Sequence, residues 1–165
     1  MGVSSLGDVF MTRFMDIDLI FPNYFIIGAA FFMLAHVQYI LTYRTLMKKK
    51  GYRFFNGGVT VAVLMALACL IYFTVICFRQ GNLGMFFLCM AYLVVITANC
   101  SFIFSYTVSD FKARPIVILA SLGALSFFVS DLIIGLGTLA NINSFGYLIW
   151  WFYPIGQILL ITSAE

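Results

Sequence analysis

Charged side chains are scarce in this chain: Asp, Glu, Lys and Arg make up 9% of its 165 residues, while hydrophobic residues make up 64%. A typical soluble domain is roughly half apolar and a quarter charged. The chain therefore has too few polar side chains to cover a water-soluble globule, and we predict an integral membrane protein. The net charge of +3 is more typical of cytoplasmic loops than of a nucleic-acid surface, so no nucleic acid partner is expected.

Several features on which common catalytic centres depend are also missing. The chain has a single histidine, His36, and its four cysteines form no Cys-x-x-Cys pair. This excludes haem held by two histidines and argues against a zinc site. The motifs Gly-x-Ser-x-Gly and His-Glu-x-x-His and the phosphate loop do not occur either, so serine lipases, zinc proteases and nucleotide-driven enzymes are not supported. An enzyme built on this chain is expected to work without a metal or another cofactor.

Long apolar runs, in contrast, are abundant. Five of them reach the roughly 20 residues that a helix needs to cross a bilayer, whereas the apolar stretch within residues 1–11 has about half that length. We predict an all-α, polytopic transmembrane helix bundle, formed as one domain over residues 1–165, with five full spans and an N-terminal partial helix. The predicted spans are residues 22–46, 58–78, 83–107, 115–137 and 144–163.

Basic residues are concentrated in two loops, which follow the first and the third full span. The positive-inside rule places such loops in the cytoplasm, and by alternation the C-terminus at Glu165 is expected there too. The basic loops carry Arg44, Lys48, Lys49, Lys50 and Arg53, then Lys112 and Arg114, while the opposite loops carry only Arg13, Asp16, Asp18 and Arg79.

Three ionisable residues, Asp8, His36 and Asp131, lie inside the apolar runs. A charged side chain within a span costs about 3 kcal/mol in insertion experiments, so each of them calls for a physical reason. Neither aspartate has a basic neighbour in its own helix, and any partner must come from another helix. Two interpretations are open: a hydrogen-bonded aspartate that ties helices together, or a carboxylate of a functional site.

Polar-tipped side chains recur at helical spacing around these residues. Taken separately, such pairs are ordinary hydrogen bonds between helices. Counting 1.5 Å per residue from the helix ends, however, places Asp8, Asp131 and Tyr153 within about 10 Å of one another in depth, with His36 somewhat deeper. We therefore expect a shared polar cavity in the outer half of the bilayer. The residues that share a helix face are His36, Tyr39 and Tyr43, then Tyr92 and Asn99, then Tyr153 and Gln157.

The polar residues stand in short motifs in the order Gly-Asp, Ala-His-x-x-Tyr, Ser-Asp and Tyr-x-x-x-Gln. The segments are Leu6-Gly7-Asp8-Val9-Phe10, Gly28 with Phe31-Phe32-Met33-Leu34-Ala35-His36 and Tyr39, Tyr92, Gly123-Ala124-Leu125 with Phe128-Val129-Ser130-Asp131, and Tyr153 with Gln157. Over nearly its whole length the chain resembles the YhhN family of small membrane proteins, whose characterised members are lysoplasmalogenases.

This resemblance implies a multi-helix membrane hydrolase that splits the vinyl ether bond of a membrane lipid, a lysoplasmalogen. The products are a fatty aldehyde and glycerophosphocholine or glycerophosphoethanolamine. Family members usually carry further membrane helices ahead of the Gly-Asp motif, whereas seven residues precede Asp8 here, so an inactive fragment of the hydrolase is one alternative. A non-catalytic lipid-binding or transport protein with the same polar layer is the alternative from another class.

A vinyl ether hydrolyses when an acid protonates the carbon β to its oxygen and water captures the resulting oxocarbenium ion. Two carboxyl groups in different environments divide such work in glycosidases. Asp8 and Asp131 are therefore the predicted catalytic pair, and either could be the acid. The residues predicted to position the substrate or to tune protonation are His36, Tyr39, Tyr92, Tyr153 and Gln157.

Overall fold

The computed structural model of the chain describes residues 2–11, 24–80, 83–140 and 144–164. No strand occurs in these segments, and α-helices account for most of them, which confirms the predicted all-α class. Two 3₁₀ turns, Pro115–Val117 and Gly146–Leu148, lead directly into the last two helices. The helices are α1 (Gly2–Met11), α2 (Tyr24–Lys50), α3 (Gly57–Gln80), α4 (Leu83–Asp110), α5 (Ile118–Ala140) and α6 (Ile149–Ala164).

Four segments of the described chain are long and apolar enough to cross a membrane, and they belong to α2, α3, α4 and α5 with its leading turn. Helix α6 has 16 residues with Pro154 inside it, and α1 has ten. At 1.5 Å per residue, α6 is about 24 Å long, against roughly 30 Å of hydrocarbon core. Each predicted run contains most of one helix, with ends that differ by a few residues, while the count of five full crossings stays a prediction.

The packing between the helices is most extensive in a few pairs. Helix α1 packs on α2, α2 on α4, α4 on both α3 and α5, and α5 on α6. The core between them includes Tyr43, Tyr106, Ala124 and Leu160. Helix α3 is apolar all round and buries only 17% of its span. Its exposed apolar side chains are those expected to face lipid.

The turn after α2 is built on Gly51, whose φ of 68° lies in the left-handed region that favours glycine. The N–H of Tyr52 donates to the carbonyl of Met47 at 3.0 Å, and the N–H of Gly51 donates to the carbonyl of Lys48 at 3.2 Å. This is the Schellman arrangement, which satisfies the last carbonyls of a helix. The chain therefore leaves α2 abruptly at its basic end.

The two basic loops lie at the same end of the bundle. Lys50 Nζ donates to Asp110 Oδ2 at 2.7 Å, and the Tyr52 hydroxyl donates to the other oxygen of the same carboxylate. The buried Asp110 thus joins the end of α2 to the end of α4, and its hydrogen bond raises the pKa of Tyr52. That this end faces the cytoplasm stays a prediction. Of the opposite loops, Arg13, Asp16, Asp18 and the Arg79 side chain lie outside the described residues.

Helices α3 and α4 touch backbone to backbone at Gly58. A Cβ atom on this residue would lie 2.4 Å from the carbonyl carbon of Phe104. The preceding Asn56 caps α3, because its Oδ1 accepts the N–H of Gly58 at 2.9 Å. Its Nδ2 donates to the carbonyl of Ser105, also at 2.9 Å. The start of α3 is thereby fixed on α4.

Candidate functional site

His36 lies near the middle of α2 and is almost fully buried, with 2% of its surface exposed. The Nδ2 of Asn99 donates to its Nδ1 at 2.9 Å. Its Nε2 lies 3.3 Å from Oδ2 of Asp131 and 3.3 Å from the hydroxyl oxygen of Tyr92. With Nδ1 accepting the amide proton, a neutral imidazole carries its own proton on Nε2, facing the carboxylate. We call these four residues the histidine group.

Three helices supply the histidine group. Tyr92 and Asn99 both lie on α4, seven residues apart, and they approach His36 from the same helix face, as their spacing predicts. Asp131 comes from α5, a helix without a basic residue. Its partner is His36 of α2. Asn99 was recognised as sharing a face with Tyr92 but was not among the predicted site residues. Its contact with His36 adds it to the site.

A second set of hydrogen bonds, which we call the tyrosine chain, joins α2, α6 and α1. The Tyr39 hydroxyl donates to Oε1 of Gln157 at 2.8 Å, and Nε2 of Gln157 donates to the Tyr153 hydroxyl at 3.2 Å. The Tyr153 hydroxyl in turn donates to Oδ2 of Asp8 at 3.1 Å. Each hydrogen bond has one donor and one acceptor, so the tyrosine chain runs in one direction, with Tyr39 as the first donor and Asp8 as the last acceptor. The predicted pair Tyr153 and Gln157 is therefore joined in the structure.

Aromatic rings lie between the histidine group and the tyrosine chain. Phe127 packs edge-on against His36, at 5.7 Å between ring centroids, and against Tyr153, at 5.3 Å. Phe32 also packs edge-on against Tyr153, at 5.6 Å between ring centroids. The two predicted catalytic residues thus belong to neighbouring groups: Asp131 to the histidine group and Asp8 to the tyrosine chain. Direct cooperation between them stays a prediction.

Phe127 was not predicted as a site residue. It precedes Asp131 by four residues and therefore lies on the same face of α5, but nothing in the sequence distinguishes it from its neighbour Phe128. Tyr43, which shares a face with His36 and Tyr39, lies outside both groups. Its hydroxyl is 3.1 Å from Oγ of Ser163 on α6, a contact that ties two helices together.

A largely apolar cavity lies between α2, α3, α4 and α5, with an empty volume of about 730 Å³ counted out to its open side. Asp131 carries the only carboxyl group among the described residues of its wall, and Tyr92 contributes a hydroxyl. His36 is behind this wall and touches Asp131 from the protein interior. The lining residues are Phe25, Ala29, Phe32, Cys69, Phe73, Leu88, Cys89, Tyr92, Leu93, Ile96, Phe128, Asp131, Leu132, Ile134 and Gly135.

This arrangement has the general form of a ligand site. Such sites are mostly apolar, with a few polar groups that fix the orientation of the ligand. Here the polar group is a carboxyl that a buried imidazole contacts from behind, an arrangement suited to holding and moving a proton. The cavity favours a ligand that is mainly hydrocarbon.

Comparison with known proteins gives one match. No curated protein and no solved structure matches the chain. The family model that matches is the one described as the YhhN family, and the match covers residues 1–164. These residues include every member of the histidine group and of the tyrosine chain. The chain therefore belongs to the YhhN family.

Proposed function

We propose that the protein is a lysoplasmalogenase-like hydrolase, which cleaves the vinyl ether bond of a single-chain ether lipid. Membership of the YhhN family supports this proposal, since the resemblance to that family implies this activity. The observation that carries it is the position of Asp131, whose carboxyl lies in the wall of an apolar cavity and contacts His36 at 3.3 Å. Vinyl ether hydrolysis requires an acid that can protonate the vinyl carbon, and a carboxyl in this position can supply it.

In the proposed reaction the Asp131 carboxyl transfers its proton to the vinyl carbon β to the ether oxygen. The carbon–carbon double bond becomes a single bond, and the positive charge is shared between the ether oxygen and the neighbouring carbon. The Asp131 carboxylate then faces this oxocarbenium ion and stabilises it at close range. The surrounding apolar residues strengthen that interaction, because the local dielectric constant is low.

Water completes the proposed reaction. It adds to the cationic carbon and gives its proton back to Asp131, which restores the acid and produces a hemiacetal. The hemiacetal collapses to the fatty aldehyde and the glycerol hydroxyl of the remaining phosphodiester. One water molecule is consumed, and no oxidant, reductant or metal is needed for the balance.

His36 has the role of a positioning and proton-tuning residue in this proposal. Asn99 holds its Nδ1 at 2.9 Å, so that Nε2 points at Asp131 and Tyr92. The Nε2–H of His36 donates to an oxygen of Asp131 whether the carboxyl is protonated or ionised, and this keeps the carboxyl oriented through the cycle. Tyr92, in the cavity wall beside Asp131, is placed to orient the ether oxygen or the water.

Asp8 is the second carboxyl of the proposal. It does not line the cavity; it accepts a hydrogen bond from Tyr153, whose ring packs against Phe32 in the cavity wall. From there its negative charge favours a cation in the cavity through the low-dielectric interior. Gln157 donates to the Tyr153 hydroxyl, and the Tyr39 hydroxyl donates to Gln157 in turn. The acid is thus assigned to Asp131 and the supporting charge to Asp8.

The activity is tested with the protein in detergent micelles or in membranes. It is incubated with a lysoplasmalogen and, separately, with the saturated alkyl-ether lipid of the same chain and head group, and fatty aldehyde is measured. We expect aldehyde from the vinyl ether alone, because the saturated ether has no double bond to protonate. Absence of aldehyde from both, with the alkyl ether bound, would favour a non-catalytic lipid-binding protein.

A further inference from the structure

The cavity continues beyond Asp131, mainly toward the helix ends that lie opposite the basic loops. Along α2 it reaches Phe25, which precedes His36 by 11 residues, or about 16 Å. Along α5 it passes Leu132 to Gly135, one turn beyond Asp131. The described residues of this part of the wall carry no charge. Its length and its apolar character exceed what the reacting bond alone needs.

We infer that this part of the cavity binds the hydrocarbon chain of the lipid, and that Phe73, seated on Gly135, determines how well a long chain is held. The identity of the lipid rests on the proposed function, whereas the binding of a hydrocarbon chain in this cavity does not. A charged phosphate head group is a poor occupant, because transfer of an ion into an apolar site without a partner is strongly unfavourable. The hydrocarbon chain of the lipid therefore lies in the cavity, and its phosphate group lies outside it.

Phe73 and Gly135 form a close contact in the cavity wall. Both residues line the cavity, Phe73 from α3 and Gly135 from α5. A Cβ atom on Gly135 would lie 2.8 Å from Cζ of Phe73, closer than such atoms approach. The Phe73 ring thus occupies space that only glycine leaves open. The ring also packs against Cys89 and Met90 of α4.

Gly135→Ala is the variant that tests this contact. The added methyl group forces the Phe73 ring away from α5. This changes the shape of the cavity about one helical turn from Asp131, where the hydrocarbon chain of the lipid is proposed to pass. We expect binding of a long-chain lipid to weaken by about fourfold or more, the effect of losing one buried methylene contact. The double variant Gly135→Ala/Phe73→Leu replaces the ring by a smaller side chain and should return binding to within about twofold of the wild type.

Binding is measured with a photoreactive probe, a hexadecyl-ether lysophosphatidylethanolamine with a diazirine in the middle of the chain. The saturated ether is not cleaved by the proposed reaction, so labelling reports binding alone. Mass spectrometry of the labelled wild type should place the label on cavity residues such as Phe73, Leu88 or Leu132. Unlabelled hexadecyl-ether lipid should compete, while glycerophosphoethanolamine, which has no chain, should not. Phe87→Ala is the matched control, because Phe87 is 68% exposed and is not among the lining residues.

The outcomes separate this inference from the proposed function. Label in the cavity, with loss in Gly135→Ala and recovery in the double variant, supports the inference even if the wild type releases no aldehyde. Label confined to outward-facing residues overturns it, even if aldehyde is released. Failure of the double variant to recover, with folded protein shown by its melting temperature, overturns the role of Phe73.

Discussion

His36 and Asp131, which are 95 residues apart in the chain, meet at 3.3 Å between Nε2 and Oδ2. Their side chains are 2% and 9% exposed, so each meets the other in the protein interior. This contact explains how the bundle accommodates two ionisable residues within apolar helices, since each supplies the hydrogen-bond partner that the other needs. It also places an imidazole directly behind the one carboxyl of the described cavity wall.

The His36–Asp131 contact predicts an unequal response to single and double substitution. His36→Leu leaves Asp131 and Asn99 buried without this partner, and we expect a loss of about 3 kcal/mol in the free energy of unfolding. The double variant His36→Leu/Asp131→Leu removes both polar groups and should be more stable than His36→Leu. Thermal unfolding in detergent measures both, with Thr42→Ala on the exposed face of α2 as the control. A double variant less stable than the single one would contradict the assignment.

Asp8 is predicted to act through its charge rather than as a structural link. Asp8→Asn keeps an oxygen that accepts the Tyr153 hydroxyl proton, so the tyrosine chain is retained while the negative charge is lost. We expect aldehyde release to fall about tenfold, equivalent to about 1.4 kcal/mol in the barrier, with an unchanged melting temperature. Activity within about twofold of the wild type would limit Asp8 to a structural role.

The close approach of α3 to α4 predicts a large difference between two neighbouring glycines. Gly58→Ala places a methyl group 2.4 Å from the Phe104 backbone, which has no freedom to move aside. We expect it to lower the free energy of unfolding by about 2–3 kcal/mol, as for other overpacked sites. Gly57→Ala is the matched control, because no atom lies within 4 Å of its added Cβ. Equal melting temperatures for the two variants would show that the helices do not meet at Gly58.

The hydrogen bond between Tyr52 and Asp110 predicts a pH-dependent contribution to stability. The carboxylate raises the pKa of Tyr52 above its ordinary value of 10.0. The contribution is therefore fully present below pH 10 and is lost as the pH rises through the raised value, because the ionised phenol no longer donates. Melting temperatures of the wild type and of Tyr52→Phe should differ near neutral pH and converge in strong alkali. Tyr147→Phe, at a site that is 64% exposed, serves as the control; a difference that grows with pH would refute this account.

The helices were predictable from sequence because bilayer thickness and apolar composition together fix the length of each run. Observed helices extend the predicted spans by a few residues into the basic loops, where Lys48, Lys49 and Lys50 continue α2. Helix α6 is shorter than the apolar run that contains it. The apolar run of residues 144–163 has the length that a membrane-spanning helix needs, but residues 144–148 form turns. The helix itself begins at Ile149.

Which residues form the histidine group and the tyrosine chain was only partly predictable from the sequence. Counting residues gives depth within a bundle, and it grouped Asp8, Asp131 and Tyr153 in one layer with His36 somewhat deeper. The structure adds which of them meet: Tyr153 contacts Asp8, and His36 contacts Asp131. It gives no rotation about the helix axes, so it left open that Phe127 lies between His36 and Tyr153. The helical spacing of Tyr92 and Asn99 identified their common face, but only the packing of α2 on α4 shows that this face meets His36.

The central claim is that Asp131 is the acid that protonates a vinyl ether in the apolar cavity. The most direct test measures aldehyde release from a lysoplasmalogen by the wild type and by Asp131→Asn, with binding of the saturated alkyl-ether lipid to both as evidence of an intact site. We predict a loss of at least about a hundredfold in Asp131→Asn, the usual contribution of a general acid, with binding retained. Turnover by Asp131→Asn at the wild-type rate would contradict the claim.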